Sequence, residues 1–166
     1  MALDIDQIHH LHREAFRGSA EAELVDAIRA SVTFVPELSL VAVAAEGSVL
    51  GHILLSVVTF HPDRHDATRR TALALAPLAV LPPHAGRGIG SALTTEALAM
   101  ADERDEAMVA VLGAPAFYAR FGFSPASESG VRSPYDEAGA AYQVRSIGGV
   151  ALESGTVEYP PSFSQL

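Results

Sequence analysis

The 166-residue chain contains no cysteine and no lysine. Without cysteine it has no thiol nucleophile, no disulfide and no thiolate metal ligand, which fits a reducing compartment. Without lysine it has neither a Schiff-base amine nor the lysine of a G-x-x-x-x-G-K-S/T phosphate loop. Enzymes that depend on these side chains are therefore excluded.

Basic residues are also scarce, since 11 arginines face 20 acidic residues, for a net charge of −9. Nucleic-acid binding needs clustered cations to neutralise phosphates, so we expect no nucleic-acid partner. The acidic N-terminus lacks the apolar run of a secretory signal. The longest weakly charged stretch, 71–85, contains three prolines and is shorter than the ~20 residues that span a bilayer. The sequence thus predicts a soluble, cytoplasmic protein without a membrane partner.

The length fits one domain of about 150 residues, so we expect a single domain over 1–166. Hydrophobic periodicity predicts two helices before Pro36, a β-hairpin over 39–60 and an almost wholly apolar central strand over 71–81. A helix to about residue 105, a strand over 108–112 and a short helix from Pro115 follow. Two weaker strands, over 141–147 and 156–159, complete an α/β (α+β) pattern.

A glycine-rich turn joins the central strand to the third helix, with the sequence Ala85-Gly86-Arg87-Gly88-Ile89-Gly90-Ser91. Backbone N–H groups at a helix start lack intrahelical partners and bind anionic phosphates readily. Arg87 adds a positive charge there, and Ser91 adds a hydroxyl. The turn lacks the third glycine of the dinucleotide fingerprint. From these residues alone, a phosphate loop and a glycine turn without a ligand are both consistent.

Two motifs together resemble the GNAT N-acetyltransferase superfamily. Residues 85–90 match its pyrophosphate loop, Gln/Arg-x-x-Gly-x-Gly/Ala, at Gly88 and Gly90, although Ala85 replaces the usual Gln or Arg. Residues 118–123, Tyr-Ala-Arg-Phe-Gly-Phe, match the family's Y-x-x-x-G-F. Segments 51–53, 75–80 and 157–163 are similar to a subgroup of predicted N-acetyltransferases, so the resemblance extends over nearly the whole chain.

The resemblance implies the GNAT fold, a mixed, twisted and mostly antiparallel sheet with splayed central parallel strands, flanked by helices. It implies acetyl-CoA as the acetyl donor, and no metal. The pyrophosphate would lie on the glycine-rich turn and the pantetheine arm would bond to the end of the central strand. The implied cofactor-binding residues are Leu78, Ala79, Val80, Ala85, Gly86, Arg87, Gly88, Ile89, Gly90 and Ser91.

The implied reaction is direct transfer of the acetyl group to a primary amine of a small-molecule or peptide acceptor. Tyr118 matches the family position of the general acid that protonates the leaving thiolate. From the sequence alone, aromatic packing beside Phe117 and Phe121 explains Tyr118 equally well. No residue of 71–80 is a carboxylate or histidine, so no strand base is found. The conceivable bases or acceptor-site residues, each individually more typical of an ordinary packed or solvated side chain, are Glu14, Glu21, His52, Tyr135, Asp136 and Glu137.

Other interpretations stay open. Histidines at 9, 10 and 12 and at 61 and 65 suggest metal ligands, but a hydrated helix face and an ordinary loop are simpler. The carboxylates at 96, 102, 103, 105 and 106 are typical of a solvated helix face and end. Instead of an enzyme, the chain could be a non-catalytic acyl-CoA-binding or regulatory module, or a nucleotide-binding α/β domain. An exposed edge formed by the last strands could pair two chains into a homodimer.

Overall fold

The structure of the protein, a computed structural model, describes residues 2–164 and 166. The helices are α1 (Ala2–Phe16), α2 (Ala20–Arg29), α3 (Ile89–Asp102) and α4 (Pro115–Tyr118). The strands are β1 (Phe34–Val43), β2 (Val49–Pro62), β3 (Arg70–Val80), β4 (Met108–Leu112), β5 (Ser124–Pro125), β6 (Val131–Arg132), β7 (Tyr142–Ser146) and β8 (Gly155–Glu158). Short 3-10 helices connect several of these elements. In the described part of the chain, no helix is long and apolar enough to cross a bilayer.

The strands form one mixed sheet in the order β5-β7-β4-β3-β2-β8-β6, and β1 pairs with β2. The pairs β1/β2, β2/β8, β4/β7 and β5/β7 are antiparallel, whereas β3/β4 and β6/β8 are parallel. The β3/β4 register extends from Leu73 and Val109 to Leu75 and Val111. The predicted mixed, mostly antiparallel sheet is confirmed.

Strand β1 begins earlier than predicted because a proline is accommodated within it. Pro36 suggested a break, and the strand was expected from Ser39. In the structure β1 begins at Phe34, and its register against β2 shifts between Phe34 and Ser39. Such an irregularity tolerates a residue that has no N–H to donate to the ladder.

The expected free edge at the end of the chain is partly covered. The two last predicted strands, here β7 and β8, are not the outermost strands of the sheet. Two-residue strands that periodicity cannot reveal, β5 and β6, pair with them. The edge that suggested a homodimer is therefore shorter than the sequence indicated, and the homodimer stays a prediction.

The chain divides into two compact units, and the first contains the described residues of 1–56, 76–98 and 161–166. Its core places Leu11 of α1 in one cluster with Val49 of β2 and Ala79 of β3. The Gln7 side-chain oxygen accepts the Val49 N–H at 2.9 Å, which holds α1 on the start of β2. Apolar residues at helical spacing, Leu24, Val25 and Ile28, are buried on α2 as predicted.

The second unit contains residues 57–75 and 99–160. Its core is built on β4, in which residues 108–111 are all buried. One ion pair corrects the expectation that Asp102 is solvated, because Arg145 of β7 donates two hydrogen bonds of 2.9 Å to its carboxylate. Arg145 thereby holds the pKa of Asp102 below its usual value. Glu106, also expected in solvent, has a side chain only 8% exposed and pairs with Arg104 at 2.6 Å.

Candidate functional site

The glycine-rich turn has a backbone conformation that explains its glycines. Gly86 and Gly88 have φ of +74° and +84°, in the left-handed region that favours glycine. An added Cβ would meet no atom within 4 Å at either residue. The backbone conformation, and not steric crowding, therefore favours glycine at these two positions. The surface of the turn is open at the positions of their missing side chains.

The turn ends at the N-terminus of α3. The Ala92 N–H donates to the Gly88 carbonyl at 2.9 Å. The acceptor of this helical hydrogen bond is therefore a residue of the turn. The N–H groups of the preceding residues, Ile89, Gly90 and Ser91, precede the helical ladder. No acidic residue lies in the first turn of α3. These donors and the positive end of the helix dipole suit an anion.

Arg87 stands at the middle of this turn with an exposed side chain. Within the described part of the chain, its guanidinium makes no hydrogen bond or ion pair. Two residues earlier, Ala85 has an extended backbone with φ −64° and ψ 150°. The side chain at position 85 is an exposed methyl group and offers no donor. The charge of Arg87 and the backbone amides are therefore the turn's means of binding an anion.

Gly51 packs against Ile89 at the end of the turn, and its role is not predicted from the sequence. A Cβ at this position would lie 2.9 Å from Ile89 Cγ2, 3.0 Å from Leu93 Cδ1 and 3.2 Å from the Ala79 carbonyl oxygen. The missing side chain thus allows α3 to pack closely on β2 beside the end of β3. The sequence does contain a sign of this close packing, because a lone glycine inside a buried strand indicates a close approach of other atoms.

The end of β3 carries the three residues implied for the pantetheine arm. Leu78 and Val80 are half-buried and Ala79 is buried. The Leu81 N–H donates to the Leu50 carbonyl at 2.8 Å, which fixes the end of β3 to β2 just before the turn. The first unit therefore brings together the strand end, the turn and the helix start, which are all of the predicted cofactor-binding residues.

Tyr118 lies in the second unit, at the end of α4. Pro115 begins this helix as predicted, and Gly122, with φ +88°, ends the 3-10 turn after it. The Tyr118 ring lies edge-on to Phe117 and Phe123, at centroid distances of 4.9 and 5.6 Å. A Cβ on Gly113 would overlap the ring. The predicted aromatic packing is thus present, with Phe123 rather than Phe121 as the second partner.

The chemistry available to Tyr118 is that of an acid. The residue is 8% exposed, and burial raises the pKa of its phenol to about 12. The phenol is protonated at neutral pH, and among the described residues its hydroxyl has no hydrogen-bond partner. A protonated hydroxyl with no partner can donate its proton to an incoming group.

His52 cannot serve as an exposed base. It is fully buried, with Nε2 2.9 Å from Ser39 Oγ and Nδ1 2.8 Å from His12 Nε2. Burial first, and then the neighbouring His12 and Arg29, lower the pKa of His52 to about 3. Burial and nearby His9 lower the pKa of His12 to about 4. Both histidines are therefore neutral at physiological pH, and their hydrogen bond is part of the core. This hydrogen bond joins residues 40 positions apart, so local sequence patterns do not reveal it.

The remaining candidates are distributed between the two units. Glu14 is exposed and Glu21 half-buried on the helices of the first unit, while Asp136 and Glu137 are exposed and Tyr135 half-buried in the second. None of these positions identifies a base. In the described residues, no group of three or more His, Cys, Asp and Glu side chains could hold a metal ion. His9 instead lies 2.8 Å from Asp26, and His61 lies 2.6 Å from Glu158.

Known proteins carry the same pattern. Residues 5–123 match the sequence model of the acetyltransferase (GNAT) family. The chain is 34% identical over 165 residues to the protein named "Uncharacterized N-acetyltransferase YhbS" of Escherichia coli K12, covering 98% of this chain and 95% of that protein. It is 33% identical over 148 residues to "Uncharacterized N-acetyltransferase YjhQ" of the same strain, covering 87% and 80%.

Solved structures agree with this similarity. E. coli YhbS in complex with CoA superposes with a TM-score of 0.79 at 32% identity, covering 98% of this chain and 87% of that one. A GNAT-family acetyltransferase from Brucella melitensis in complex with acetyl-CoA gives a TM-score of 0.75 at 30% identity, with coverages of 98% and 94%. The chain belongs to the GNAT family of N-acetyltransferases and has its fold.

Proposed function

We propose that the enzyme transfers the acetyl group of acetyl-CoA directly to a primary amine of a small-molecule or peptide acceptor. The observation that carries this proposal is the open turn at the start of α3, where glycines with positive φ, the backbone amides at the helix start and Arg87 meet without an acidic residue. The solved relatives from E. coli and B. melitensis bind CoA and acetyl-CoA, which supports the same cofactor here. We further propose that Leu78, Ala79 and Val80 bond to the pantetheine arm.

The proposed reaction needs no enzyme nucleophile. The neutral amine forms a bond to the thioester carbonyl carbon, and the tetrahedral intermediate collapses as the C–S bond breaks. Tyr118 gives its phenolic proton to the departing sulfur, the proton lost by the amine passes to water, and water returns a proton to the phenolate. The phenol is protonated before that step, since the pKa of Tyr118, which burial raises to about 12, lies far above neutral pH.

Cofactor binding is tested by the thermal shift produced by acetyl-CoA, CoA and NAD, each added separately. A ligand bound only by the folded state raises its melting temperature, and we expect shifts with the two CoA forms but not with NAD. The variant Gly88→Ala should reduce the acetyl-CoA shift because it strains the turn. Gly47→Ala is a matched control, since Gly47 also has a positive φ of +94° with no atom within 4 Å but lies in the β1/β2 hairpin.

Two results would refute the proposal. One is the absence of a shift with either CoA form, and the other is a shift with NAD alone, as a nucleotide-binding domain predicts. A non-catalytic acyl-CoA-binding module, which the missing base favours, would show the CoA shifts but release no CoA from acetyl-CoA with any amine. Released CoA can be followed with a thiol reagent without background, since the protein has no cysteine.

A further inference from the structure

The orientation of the Tyr118 phenol depends on the contacts of its ring. Among the described residues its hydroxyl has no hydrogen-bond partner, so no bond of its own fixes the direction of the O–H. The ring instead lies against the backbone of Gly113 and edge-on to Phe117 and Phe123. Gly113 directly follows β4, and Phe123 directly precedes β5. The position of the phenol therefore depends on how the segment between these two strands, residues 113–123, is held.

Both ends of segment 113–123 are held by one strand, β7. This strand lies between β4 and β5 in the sheet, and Gln143 pairs with Val111 on one side and with Pro125 on the other. The chain thus leaves the sheet on one side of β7 and returns to it on the other side. The segment that contains Tyr118 connects these two sides.

Two side chains of β7 bond to backbone carbonyls of this segment. Gln143, which is only 1% exposed, donates from Nε2 to the Gly113 carbonyl at 3.3 Å. Arg145 donates from Nε to the Phe121 carbonyl at 2.9 Å. The two side chains are on the same face of β7, because residues two positions apart in a strand point to the same side. They therefore hold the segment on either side of Tyr118.

Both bonds are part of a larger network in the second unit. The Gly113 N–H donates to the Ala141 carbonyl at 2.9 Å, so both backbone polar groups of Gly113 are bonded to residues in or next to β7. The guanidinium of Arg145 also donates to both carboxylate oxygens of Asp102, at 2.9 Å each, which fixes the side chain that bonds to the segment. A network of satisfied polar groups makes the surrounding structure more rigid.

We propose that Gln143 and Arg145 are positioning residues, which fix segment 113–123 on β7 and thereby hold the Tyr118 phenol in the orientation that protonates the departing sulfur. A misplacement of about 1 Å at a reacting group can slow a reaction about 100-fold, even when its cause lies far from the chemistry. This inference rests on the proposed function, in which Tyr118 is the acid, and adds the residues that position this acid.

The test measures CoA release from acetyl-CoA at a fixed concentration of hydroxylamine, a small amine that is largely neutral at neutral pH, after subtraction of the rate without enzyme. Gln143→Met keeps the approximate size of the side chain but removes the donor to Gly113. We expect it to lower kcat about tenfold while the KM for acetyl-CoA changes less than about twofold. In the background of Tyr118→Phe, the same substitution should change kcat by less than about twofold, because the group that it positions is then absent.

Arg145→Lys and Arg132→Lys are a matched pair of variants. Each replaces an arginine of the second unit that donates to both carboxylate oxygens of one aspartate and to one backbone carbonyl. Lysine keeps the charge but lacks the planar fork that makes these bonds together. The carbonyl bonded by Arg132 is that of Gly130, outside segment 113–123. We expect Arg145→Lys to lower kcat about tenfold, and Arg132→Lys to leave kcat unchanged.

The inference is overturned if Gln143→Met or Arg145→Lys leaves kcat unchanged, or if Arg132→Lys lowers it as much as Arg145→Lys does. It is also overturned if Gln143→Met lowers kcat equally with and without the Tyr118 hydroxyl, because its role is then merely structural. Melting curves show whether each variant folds, and if Gln143→Met does not, the comparison in Tyr118→Phe is made with Arg145→Lys.

Failure of the proposed function gives a different result. No release above background by the wild type, or an unchanged kcat in Tyr118→Phe, refutes the proposed acid step and this inference with it. A loss of kcat in Tyr118→Phe, combined with any of the contrary results for the other variants, refutes only the positioning role of Gln143 and Arg145.

Discussion

The close packing at Gly51 leads to a quantitative prediction for Gly51→Ala. The new methyl group would stand 2.9 and 3.0 Å from two side-chain carbons of α3, where carbon atoms normally lie about 3.5–4.0 Å apart. Relief requires α3 to move by several tenths of an ångström, because the third neighbour, the Ala79 carbonyl oxygen at 3.2 Å, is backbone. Overpacking of this kind costs about 1–3 kcal/mol.

An opposing effect reduces that cost. Replacing glycine by alanine lowers the conformational entropy of the unfolded chain, which stabilises the folded state by about 0.4–1 kcal/mol. We therefore expect Gly51→Ala to lower the free energy of unfolding by about 1–2 kcal/mol, measured by urea denaturation. Because the displaced residues are Ile89 and Leu93 of α3, the variant should also give a smaller thermal shift with acetyl-CoA than the wild type.

The controls separate crowding from the general effect of alanine. Gly18→Ala has its nearest atom at 3.9 Å and no positive φ, so it should raise the free energy of unfolding by about 0.4–1 kcal/mol. In the background of Gly51→Ala, the substitution Ile89→Ala removes the closest methyl group and should cost less than it does in the wild type. The reasoning is refuted if Gly51→Ala is as stable as the wild type, or if the two substitutions are simply additive.

Two further predictions concern titratable groups. Tyr118→Phe should lower kcat about 100-fold or more while the KM for acetyl-CoA and the melting temperature change little, since the hydroxyl has no partner in the described structure; an unchanged kcat would exclude the acid role. Because burial lowers the pKa of His12 and His52 to about 4 and 3, the unfolded state binds more protons than the folded state below pH 6.5. The stabilisation of the folded state by these two neutral histidines is therefore fully present above that pH and is lost as the pH falls. We expect the free energy of unfolding to drop by about 2–3 kcal/mol between pH 6.5 and 5, and His12→Gln to reduce the drop by about half. A pH-independent stability across this range would contradict the buried neutral pair.

The sequence was informative where the cause of a structure is local. The apolar run 108–112 coincides with β4, and the glycine pattern before Ile89 coincides with the turn that needs positive φ at Gly86 and Gly88. It failed where pairing overrides a local rule. Pro36 lies inside β1 at a shift of register, and β5 and β6 are too short to show a period.

What the residues alone indicated was the resemblance to the family, the order of the main elements and the position of the glycine-rich turn, because the motifs and periodicities involve spacings within a few residues. The contacts of several polar and small residues depend on neighbours that are distant in the sequence. Asp102 is bound by Arg145, and His52 is buried and hydrogen-bonded to His12 and Ser39. Contacts of this kind follow from burial and pairing in the folded chain, which periodicity does not record.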